Sequence, residues 1–205
     1  MSPRSVSIKR GFDLIAAAIG LIVLAPAIGL TALLILFRLG RPVLFRQQRP
    51  GLGGRLFQNL KFRSMDNARD ASGQLLSDAR RISGFGAFLR RTSLDELPEL
   101  WNVLRGDMSI VGPRPLLPEY LPLYDSRQTR RHDVRPGLTG WAQINGRNEL
   151  TWEQRLEFDV WYVEHWSFRL DLRIILLTVA YVLRGQGISY PGEATMKPFH
   201  GGPDQ

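Results

Sequence analysis

An uncharged run of 24 residues near the N-terminus constrains this chain more than any other feature. It extends from Leu14 to Phe37 and reads LIAAAIGLIVLAPAIGLTALLILF. As one straight helix it would be roughly 36 Å long, against roughly 30 Å of bilayer hydrocarbon. It is too long for the apolar part of a cleavable signal peptide, and an arginine-rich segment follows it. Because a buried core helix would normally carry a polar stripe, the run predicts a membrane-embedded helix.

The flanks and the middle of this run indicate how it meets the membrane. Basic residues stand on both sides of it, namely Arg4, Lys9, Arg10, Arg38, Arg41, Arg46 and Arg49. Since basic residues prefer the cytoplasmic side, a single crossing would export one of the two clusters. Pro26 lies near the centre, where it removes a helix hydrogen bond and favours a kink. We therefore expect a re-entrant helix broken at Pro26, although a single span also agrees with the length.

The net charge and the absence of cysteine limit which partners and which catalytic or metal sites the chain can have. The 205 residues include 27 Lys and Arg against 19 Asp and Glu, which gives a formal charge of +8. A charge of this size implies an acidic partner, such as a nucleic acid, a phosphorylated small molecule or an anionic membrane surface. The absence of cysteine excludes disulfides, thiol nucleophiles and cysteine-based zinc sites. His132, His165 and His200 are far apart, so a histidine metal cage is not expected.

The rest of the chain predicts one α+β domain that is mainly helical. Two β-prone stretches, Val43 to Arg49 and Arg55 to Phe62, flank the turn sequence PGLGG and predict a β-hairpin. Two helical pieces follow, and then two loops rich in proline and glycine. We assign 1–40 to the membrane helix and 41–205 to a compact cytoplasmic domain with amphipathic interfacial helices.

The last helical part contains a short apolar stretch from Ile174 to Leu183. Ten residues are too few to span a bilayer. Helices of this kind, with aromatic and basic flanks, can lie in the interface plane. Packing against the core of the domain explains the pattern equally well.

The sequence SLDELPEL, from Ser93 to Leu100, places two adjacent carboxylates behind two arginines. Ser93 and Glu96 match a capping box, and Asp95 before Pro98 would also serve as a helix cap. On its own this stretch is better explained by capping, because caps are far commoner than active sites.

The neighbouring arginines favour a second interpretation of the same carboxylates. Arg90, Arg91, Arg105 and Arg114 stand close in sequence, and guanidinium groups grip phosphate oxygens. A diphosphate bound with magnesium needs such arginines and a carboxylate for the metal. One carboxylate could then attack phosphorus while the other holds the metal or fixes the geometry.

Three long motifs resemble one family. The segments RPGLGGRLFQNLKFRSM, TSLDELPELWNVLRGDMSIVGPRPLLPEYLPLY and RHDVRPGLTGWAQINGRN are similar to those of bacterial sugar transferases, in the same order after an apolar N-terminal segment. The closest resemblance is to the small monotopic phosphoglycosyl transferases that initiate lipid-linked glycan assembly. The tail GEATMKPFHG resembles members that serve protein N-glycosylation.

The resemblance implies roles for individual residues. Asp95 is expected to be the nucleophile, Glu96 its dyad partner, and both are expected to hold Mg²⁺. Phosphate or nucleotide contacts are expected from Arg90, Arg114, Lys61, Arg135, Asn145, Gly146 and Arg147. Pro26 matches the family's helix-breaking proline, although Ala25 stands where many members have serine.

The resemblance also implies a reaction, partners and a location. The enzyme would transfer a phosphosugar from a UDP-sugar to undecaprenyl phosphate and release UMP. The sugar is expected to be an N-acetylated amino sugar. The route would be ping-pong, through a covalent intermediate in which the phosphosugar is bonded to the aspartate. The enzyme would be monotopic on the cytoplasmic face of the bacterial inner membrane, in contact with lipids and with downstream glycosyltransferases, and would bind no nucleic acid. The pathway would make lipopolysaccharide, exopolysaccharide or N-glycan. Two alternatives remain, a basic membrane-anchored binding module and a metal-dependent glycosyltransferase that releases UDP.

Overall fold

The computed structural model describes residues 3–146, 150–184 and 198–202, and over these ranges the protein is mainly helical. The helices are α1 (Pro3–Val23), α2 (Ala25–Leu39), α3 (Asp78–Arg81), α4 (Gly84–Arg91), α5 (Glu99–Arg105), α6 (Ser126–Thr129), α7 (Trp141–Ile144), α8 (Trp152–Glu164) and α9 (Phe168–Arg184). The strands are β1 (Leu44–Pro50), β2 (Leu56–Phe62), β3 (Ser109–Val111) and β4 (Gly137–Thr139).

The apolar run forms a bent pair of helices. Helices α1 and α2 meet at Leu24 with an angle of 61° between them, and Pro26 stands in the first turn of α2, where its missing N–H costs least. Neither helix alone is long and apolar enough to cross a bilayer, whereas the two together are, judged by length and composition. Ile22 and Phe37 are 75 % and 77 % exposed, so the pair presents much of its apolar surface outward and is not a buried core helix.

The predicted hairpin is confirmed. Strands β1 and β2 pair antiparallel, with Leu44 opposite Phe62 and Pro50 opposite Leu56. The connection needs positive φ at Gly53 (62°) and Gly54 (74°), a conformation that glycine adopts without steric cost.

The two proline- and glycine-rich loops contain a second small sheet that the sequence did not predict. Strands β3 and β4 pair parallel, with Ser109 opposite Gly137. The backbones approach so closely that a Cβ on Gly137 would lie 2.0 Å from the amide nitrogen of Gly112, and one on Gly140 would lie 2.2 Å from the Gly112 carbonyl oxygen. These contacts fix the loop that follows β3, which carries Arg114.

Helix α1 is fastened to the rest of the chain by buried polar contacts at its N-terminal end. Lys9 Nζ lies 2.5 Å from Asp171 Oδ2 on α9, with both side chains buried. The hydroxyl of Tyr162 donates to the other oxygen of Asp171 at 2.7 Å. Asp13 accepts from the hydroxyl of Ser109 and from the amide of Ile110 on β3, both at 3.0 Å. Helix α1 and the elements that it contacts therefore form one packed unit.

Helix α9 has an inner and an outer face. Ile174 is fully buried in a cluster with Tyr162 and Val111, so the packing interpretation is confirmed for this face. Leu176 and Val179 on the other face are 71 % and 52 % exposed. Because the outer face stays apolar, the interfacial interpretation still applies to it.

We expect Lys9→Met to destabilise the protein by about 3 kcal/mol, because it leaves the Asp171 carboxylate buried without its cation. Thermal unfolding in detergent, followed by tryptophan fluorescence, measures the loss. The matched control is Arg173→Met, which removes an exposed cation from the same helix as Asp171. Equal unfolding temperatures for the two variants would show that the buried pair contributes nothing to stability.

Candidate active site

A cavity of about 800 Å³ opens between the hairpin, the segment from α4 to α5 and the loop after β3. Five of the candidate residues line it, namely Lys61, Arg90, Asp95, Glu96 and Arg114. The volume lies within the range of small-molecule binding sites. The fold thus brings together side chains that are separated by up to 53 positions in the sequence.

The two carboxylates stand on a short turn and cap no helix. Leu94–Glu96 forms a single 3₁₀ turn, and α5 begins only after Pro98, so the capping interpretation was wrong. No side-chain cap hydrogen bond is made at either N-terminus. Ser93, just before the turn, has a φ of 55°, and within the described ranges it is the one non-glycine residue with positive φ. Such left-handed backbone costs about 1–3 kcal/mol and concentrates at functional sites.

Glu96 is held by two cations from different parts of the chain. Lys61 Nζ, near the end of β2, lies 2.7 Å from its Oε1. Arg114 Nη2, from the loop after β3, contacts the same oxygen. Glu96 therefore ties the hairpin and the Arg114 loop to the turn that carries Asp95.

This pairing fixes the charge states of the three groups. Burial alone would raise the pKa of Glu96, but Arg114 and Lys61 outweigh it and hold that pKa well below its ordinary value. The Glu96 carboxylate raises the pKa of the Arg114 guanidinium in return, against the opposing effect of burial. Burial lowers the pKa of Lys61, yet Glu96 and Glu99 reverse the effect and leave it raised. All three groups are charged at neutral pH.

Asp95 has the opposite character. It is 8 % exposed, and burial together with the negative charge of Glu96 raises its pKa from 3.8 to about 6, although Lys61, Arg114 and Arg90 pull it down. At neutral pH most of the molecules still carry it ionised. A carboxylate that is ionised and poorly hydrated is a stronger nucleophile than one in water.

Arg90 reaches the cavity from the last turn of α4. Its Nε donates to the hydroxyl of Ser64 at 3.0 Å, which orients the guanidinium along the cavity wall. Helix α4 packs close enough to permit this because Gly86 faces the backbone of Ser64, where a Cβ would lie 1.9 Å from the carbonyl oxygen.

Glu99 belongs to the same network, and sequence reasoning assigned it no role. It is 2 % exposed, its Oε1 lies 3.2 Å from Lys61 Nζ, and it accepts from Asn59 Nδ2 at 3.0 Å. Burial raises its pKa, with the charge on Glu96 adding to the effect and Lys61 opposing it. Its spacing from Glu96 gave no helix signal, because Glu96 lies on the 3₁₀ turn before Pro98 and Glu99 is the first residue of α5.

Asn102 positions this network and was also missed. It is fully buried on α5, where its Oδ1 accepts from the amide of Leu60 and its Nδ2 donates to the carbonyl of Gln58. These bonds take the place of ladder contacts on the outer side of β2, and so hold Lys61 beside the carboxylates.

Of the remaining expected contacts, Arg135, Asn145 and Gly146 are not among the residues that line the cavity. Arg135 Nε donates to the carbonyl of Gly106 at 2.8 Å. Asn145 Nδ2 donates to the carbonyl of Trp141 at 2.8 Å, and Gly146 follows it with a φ of 140°. Arg147 lies outside the described residues.

A metal at this site would have few protein ligands. Over residues 3–146, 150–184 and 198–202, no three acidic or histidine side chains converge as a metal cage. Both cations of Glu96 contact its Oε1. Asp95 and Oε2 of Glu96 fit a magnesium ion, because Mg²⁺ is usually held by one or two carboxylates and takes its other ligands from water and substrate phosphates.

Comparison with known proteins places the motifs in one family. The model of the bacterial sugar transferase family matches residues 4–185. An uncharacterized sugar transferase of Bacillus subtilis, EpsL, is 51 % identical over 96 % of the chain and 98 % of its own length. The UDP-glucose:undecaprenyl-phosphate glucose-1-phosphate transferase of Xanthomonas campestris is 46 % identical over 87 % of the chain. The undecaprenyl-phosphate galactose phosphotransferase of Salmonella typhimurium is 38 % identical over 88 %.

These relatives differ in how much of their own length is matched. The chain spans nearly all of the Bacillus protein, but only 39 % of the Xanthomonas enzyme and 41 % of the Salmonella enzyme. The two relatives whose names state a reaction are therefore much longer proteins.

We expect Asp95→Asn to stabilise the free protein at pH 7.5 in metal-free buffer by about 1–3 kcal/mol. The raised pKa of Asp95 means that the ionised carboxylate opposes folding, and the amide removes this penalty. The gain should shrink as the pH falls through about 6 and vanish below 3.8, where wild-type Asp95 is protonated in both the folded and the unfolded chain.

Unfolding temperatures measured between pH 5 and pH 8 check this expectation. The control Asp133→Asn replaces a carboxylate whose side chain is 59 % exposed, and should change little. If Asp95→Asn lowers the stability of the protein, or raises it equally at every pH, then ionised Asp95 does not destabilise the folded protein and this expectation is wrong.

Proposed function

We propose for this chain, which belongs to the bacterial sugar transferase family, the transfer of a phosphosugar from a UDP-sugar to undecaprenyl phosphate. The observation that carries the proposal is the pair Asp95 and Glu96, one carboxylate with a raised pKa beside one held ionised by Lys61 and Arg114, in a cavity that a nucleotide sugar can fill. The names of the Xanthomonas and Salmonella relatives describe the same class of reaction.

The first step of the proposed mechanism is attack by Asp95. A carboxylate oxygen of Asp95 bonds to the phosphorus that carries the sugar, and the bond from that phosphorus to the bridging oxygen breaks. The electron pair leaves on UMP, and the phosphosugar remains on the protein as an acyl phosphate. The raised pKa supports this role because the ionised carboxylate gains stability when it forms a covalent bond.

The second step returns Asp95 to its starting state. A phosphate oxygen of undecaprenyl phosphate bonds to the same phosphorus, and the bond to Asp95 breaks with its electron pair on the carboxylate. The products are a polyprenyl diphosphate sugar and the free enzyme. UMP leaves before the acceptor reacts, so the route is ping-pong.

The cations of the site hold charge in place during both steps. Lys61 and Arg114 stay fixed on Glu96, which keeps them at the cavity wall without the cost of ordering them for each turnover. Arg90, held by Ser64, adds a third positive group. A bound magnesium ion, held by Asp95 and Glu96, would supply further neutralisation of the diphosphate.

The helix pair and α9 suggest how a water-soluble donor meets a lipid acceptor. We propose that α1 and α2 form a re-entrant pair of helices that enters and leaves the membrane on its cytoplasmic side. The bend at Leu24 and Pro26 would lie deepest in the bilayer. The exposed apolar face of α9, with Leu176 and Val179, would lie at the headgroup level. The cavity would then stand where both substrates can reach Asp95, on the cytoplasmic face of the inner membrane.

The sugar and the pathway are also proposals. The resemblance predicts an N-acetylated amino sugar, whereas the names of relatives specify glucose or galactose. The product would pass to glycosyltransferases that extend a glycan for the cell surface or for protein modification.

The proposed reaction predicts which product appears and which variants fail. Purified protein with magnesium and undecaprenyl phosphate should release UMP from one member of a panel of UDP-glucose, UDP-galactose and UDP-N-acetylhexosamines. Asp95→Asn removes the nucleophile and should lower turnover by at least about 10³-fold, since the covalent route is lost. Glu96→Gln leaves Lys61 and Arg114 without their anchor and should lower it by about 10²-fold.

The control Asp133→Asn, exposed and distant in sequence from the turn, should retain full activity. Release of UDP instead of UMP would mean transfer of the sugar without its phosphate. Turnover that survives Asp95→Asn would refute the nucleophile assignment, and binding of acidic lipid without turnover of any donor would favour a binding module.

The re-entrant topology predicts the accessibility of single cysteines, which the cysteine-free chain makes simple to test. Ser2→Cys and Arg46→Cys flank the helix pair, and both should react with a membrane-impermeant maleimide only after spheroplasts are permeabilised. Ile22→Cys, beside the bend, should stay unreactive until detergent is added, because lipid covers it. Labelling of Ser2→Cys in intact spheroplasts would establish a single span instead.

A further inference from the structure

A further arginine stands in the wall of the cavity, and the mechanism above gives it no task. Arg49, on β1, lines the cavity and is half-buried. In the hairpin, Gln47 lies opposite Asn59, and Arg49 follows Gln47 by two positions. Because alternate residues of a strand share a face, Arg49 stands on the face of the hairpin that also presents Lys61 to the carboxylates.

The guanidinium of Arg49 is oriented but not neutralised. Its Nη2 donates to Gln47 Oε1 at 2.7 Å, which draws the group back along the strand toward Lys61. To the described residues the guanidinium makes this one hydrogen bond, and it forms no ion pair with any of their carboxylates. Lys61 and Arg114, by contrast, are both paired with Glu96. Arg49 therefore keeps most of its N–H donors for a ligand.

The surroundings of Arg49 favour a bound anion. Burial lowers the pKa of Arg49, and the charge of Arg114 lowers it further, while Glu99 and Glu119 oppose the shift. Since an arginine stays protonated in proteins, Arg49 and Arg114 bring two like charges to one cavity. The guanidinium fork matches the oxygens of a phosphate, and a phosphate bound by both arginines would relieve their repulsion.

Three other arginines of the cavity wall are held by the protein itself. Arg63 and Arg81 both donate to backbone carbonyls. The guanidinium of Arg155 lies 5.5 Å from the centre of the Trp152 ring. These contacts account for the three side chains, whereas the bond to a neighbouring side-chain amide leaves the charge of Arg49 available.

The proposed mechanism brings two phosphate groups in succession to one position. Nucleophile and leaving group stand roughly in line on opposite sides of the phosphorus that is attacked. UMP therefore leaves on the side away from Asp95, and the phosphate of the acceptor must attack from that same side. UMP and undecaprenyl phosphate are both phosphate monoesters, so one set of cations can bind either of them.

We propose that Arg49 binds a phosphate monoester at this position, namely the phosphate of UMP in the first half-reaction and that of the acceptor in the second. The assignment rests on the proposed function, which supplies both molecules. Arg114 would contribute to the same site from the loop after β3. Gln47 is then a positioning residue, because it orients Arg49 and need not touch the ligand.

The test uses the full chain in nanodiscs, with magnesium and the UDP-sugar that the wild type turns over. Exchange of labelled UMP into this UDP-sugar without acceptor follows the first half-reaction, and complete turnover gives the KM for undecaprenyl phosphate. Arg49→Gln removes the charge and the fork, so the half-saturating UMP concentration and the KM for the acceptor should each rise at least about tenfold. Inhibition of the exchange by uridine, which has no phosphate, should not change.

Two further variants complete the experiment. Arg49→Lys keeps the charge without the planar fork, so both rises should be present but smaller. The matched control is Arg55→Gln, which removes an exposed arginine just before β2 and should behave as wild type does in both assays. Unfolding temperatures identify any variant that has lost its fold, and if Arg49→Gln has done so, Arg49→Lys decides.

The remaining outcomes separate the site from the proposed function. Unchanged values for UMP and for the acceptor in a folded Arg49→Gln protein would overturn the assignment while the proposed function stands. A rise for one of the two alone would give Arg49 to a single substrate and overturn the shared site. Inhibition by uridine that weakens as much as UMP does would place Arg49 at the nucleoside, against the proposal. A wild-type protein that neither exchanges UMP nor forms product would defeat the proposed function, and the shared site with it.

Discussion

The ion cluster around Glu96 is the interaction on which the site depends. One carboxylate oxygen receives Lys61 from the hairpin and Arg114 from the loop after β3, so three distant segments meet at one point. A buried cluster of this kind gains little net free energy, since desolvation of the charges offsets their attraction. What it does is fix position, because the loss of any member would leave a buried charge without its partner. Asp95, next to Glu96 on the same turn, is held in this field, and its raised pKa follows from burial and from the neighbouring negative charge.

Buried polar contacts join helix α1 to the elements that carry the cavity. Lys9 and Asp13 stand just before the uncharged run, and both are buried against elements of the domain. Lys9 pairs with Asp171 on α9, while Asp13 binds β3, whose following loop carries Arg114. The depth at which α1 enters a bilayer would thus set the position of Asp95 directly, without a hinge between anchor and domain. The bend at Leu24 then serves the topology, and the polar end of α1 serves the attachment.

The charged residues that line the site were predictable, and the buried side chains that position them were not. Arginines, a lysine and adjacent carboxylates form a recognisable inventory for phosphate chemistry, and the resemblance assigned Asp95, Glu96, Lys61, Arg90 and Arg114, all of which line one cavity. Glu99 and Asn102 passed unnoticed, because a single buried Glu or Asn has no pattern along the chain. The capping interpretation of SLDELPEL failed for a related reason. Propensity favours a cap there, but the positive φ of Ser93 and the tertiary contacts of Glu96 turn both carboxylates toward the cavity.

The sequence by itself determined the uncharged run of 24 residues, the helix break next to Pro26, the hairpin around PGLGG and the charged residue types of the candidate site. Each is a local property, set by hydrophobic length, by the missing proline N–H, by glycine conformations or by charge. Only the tertiary structure decided the parallel pairing of β3 with β4, the burial of Lys9 against Asp171, and the meeting of Lys61 and Arg114 at Glu96. These depend on contacts between segments tens to more than a hundred residues apart, such as the 162 positions between Lys9 and Asp171. The free energy of a buried pair depends on the surroundings that both partners share, and no stretch of sequence contains those surroundings.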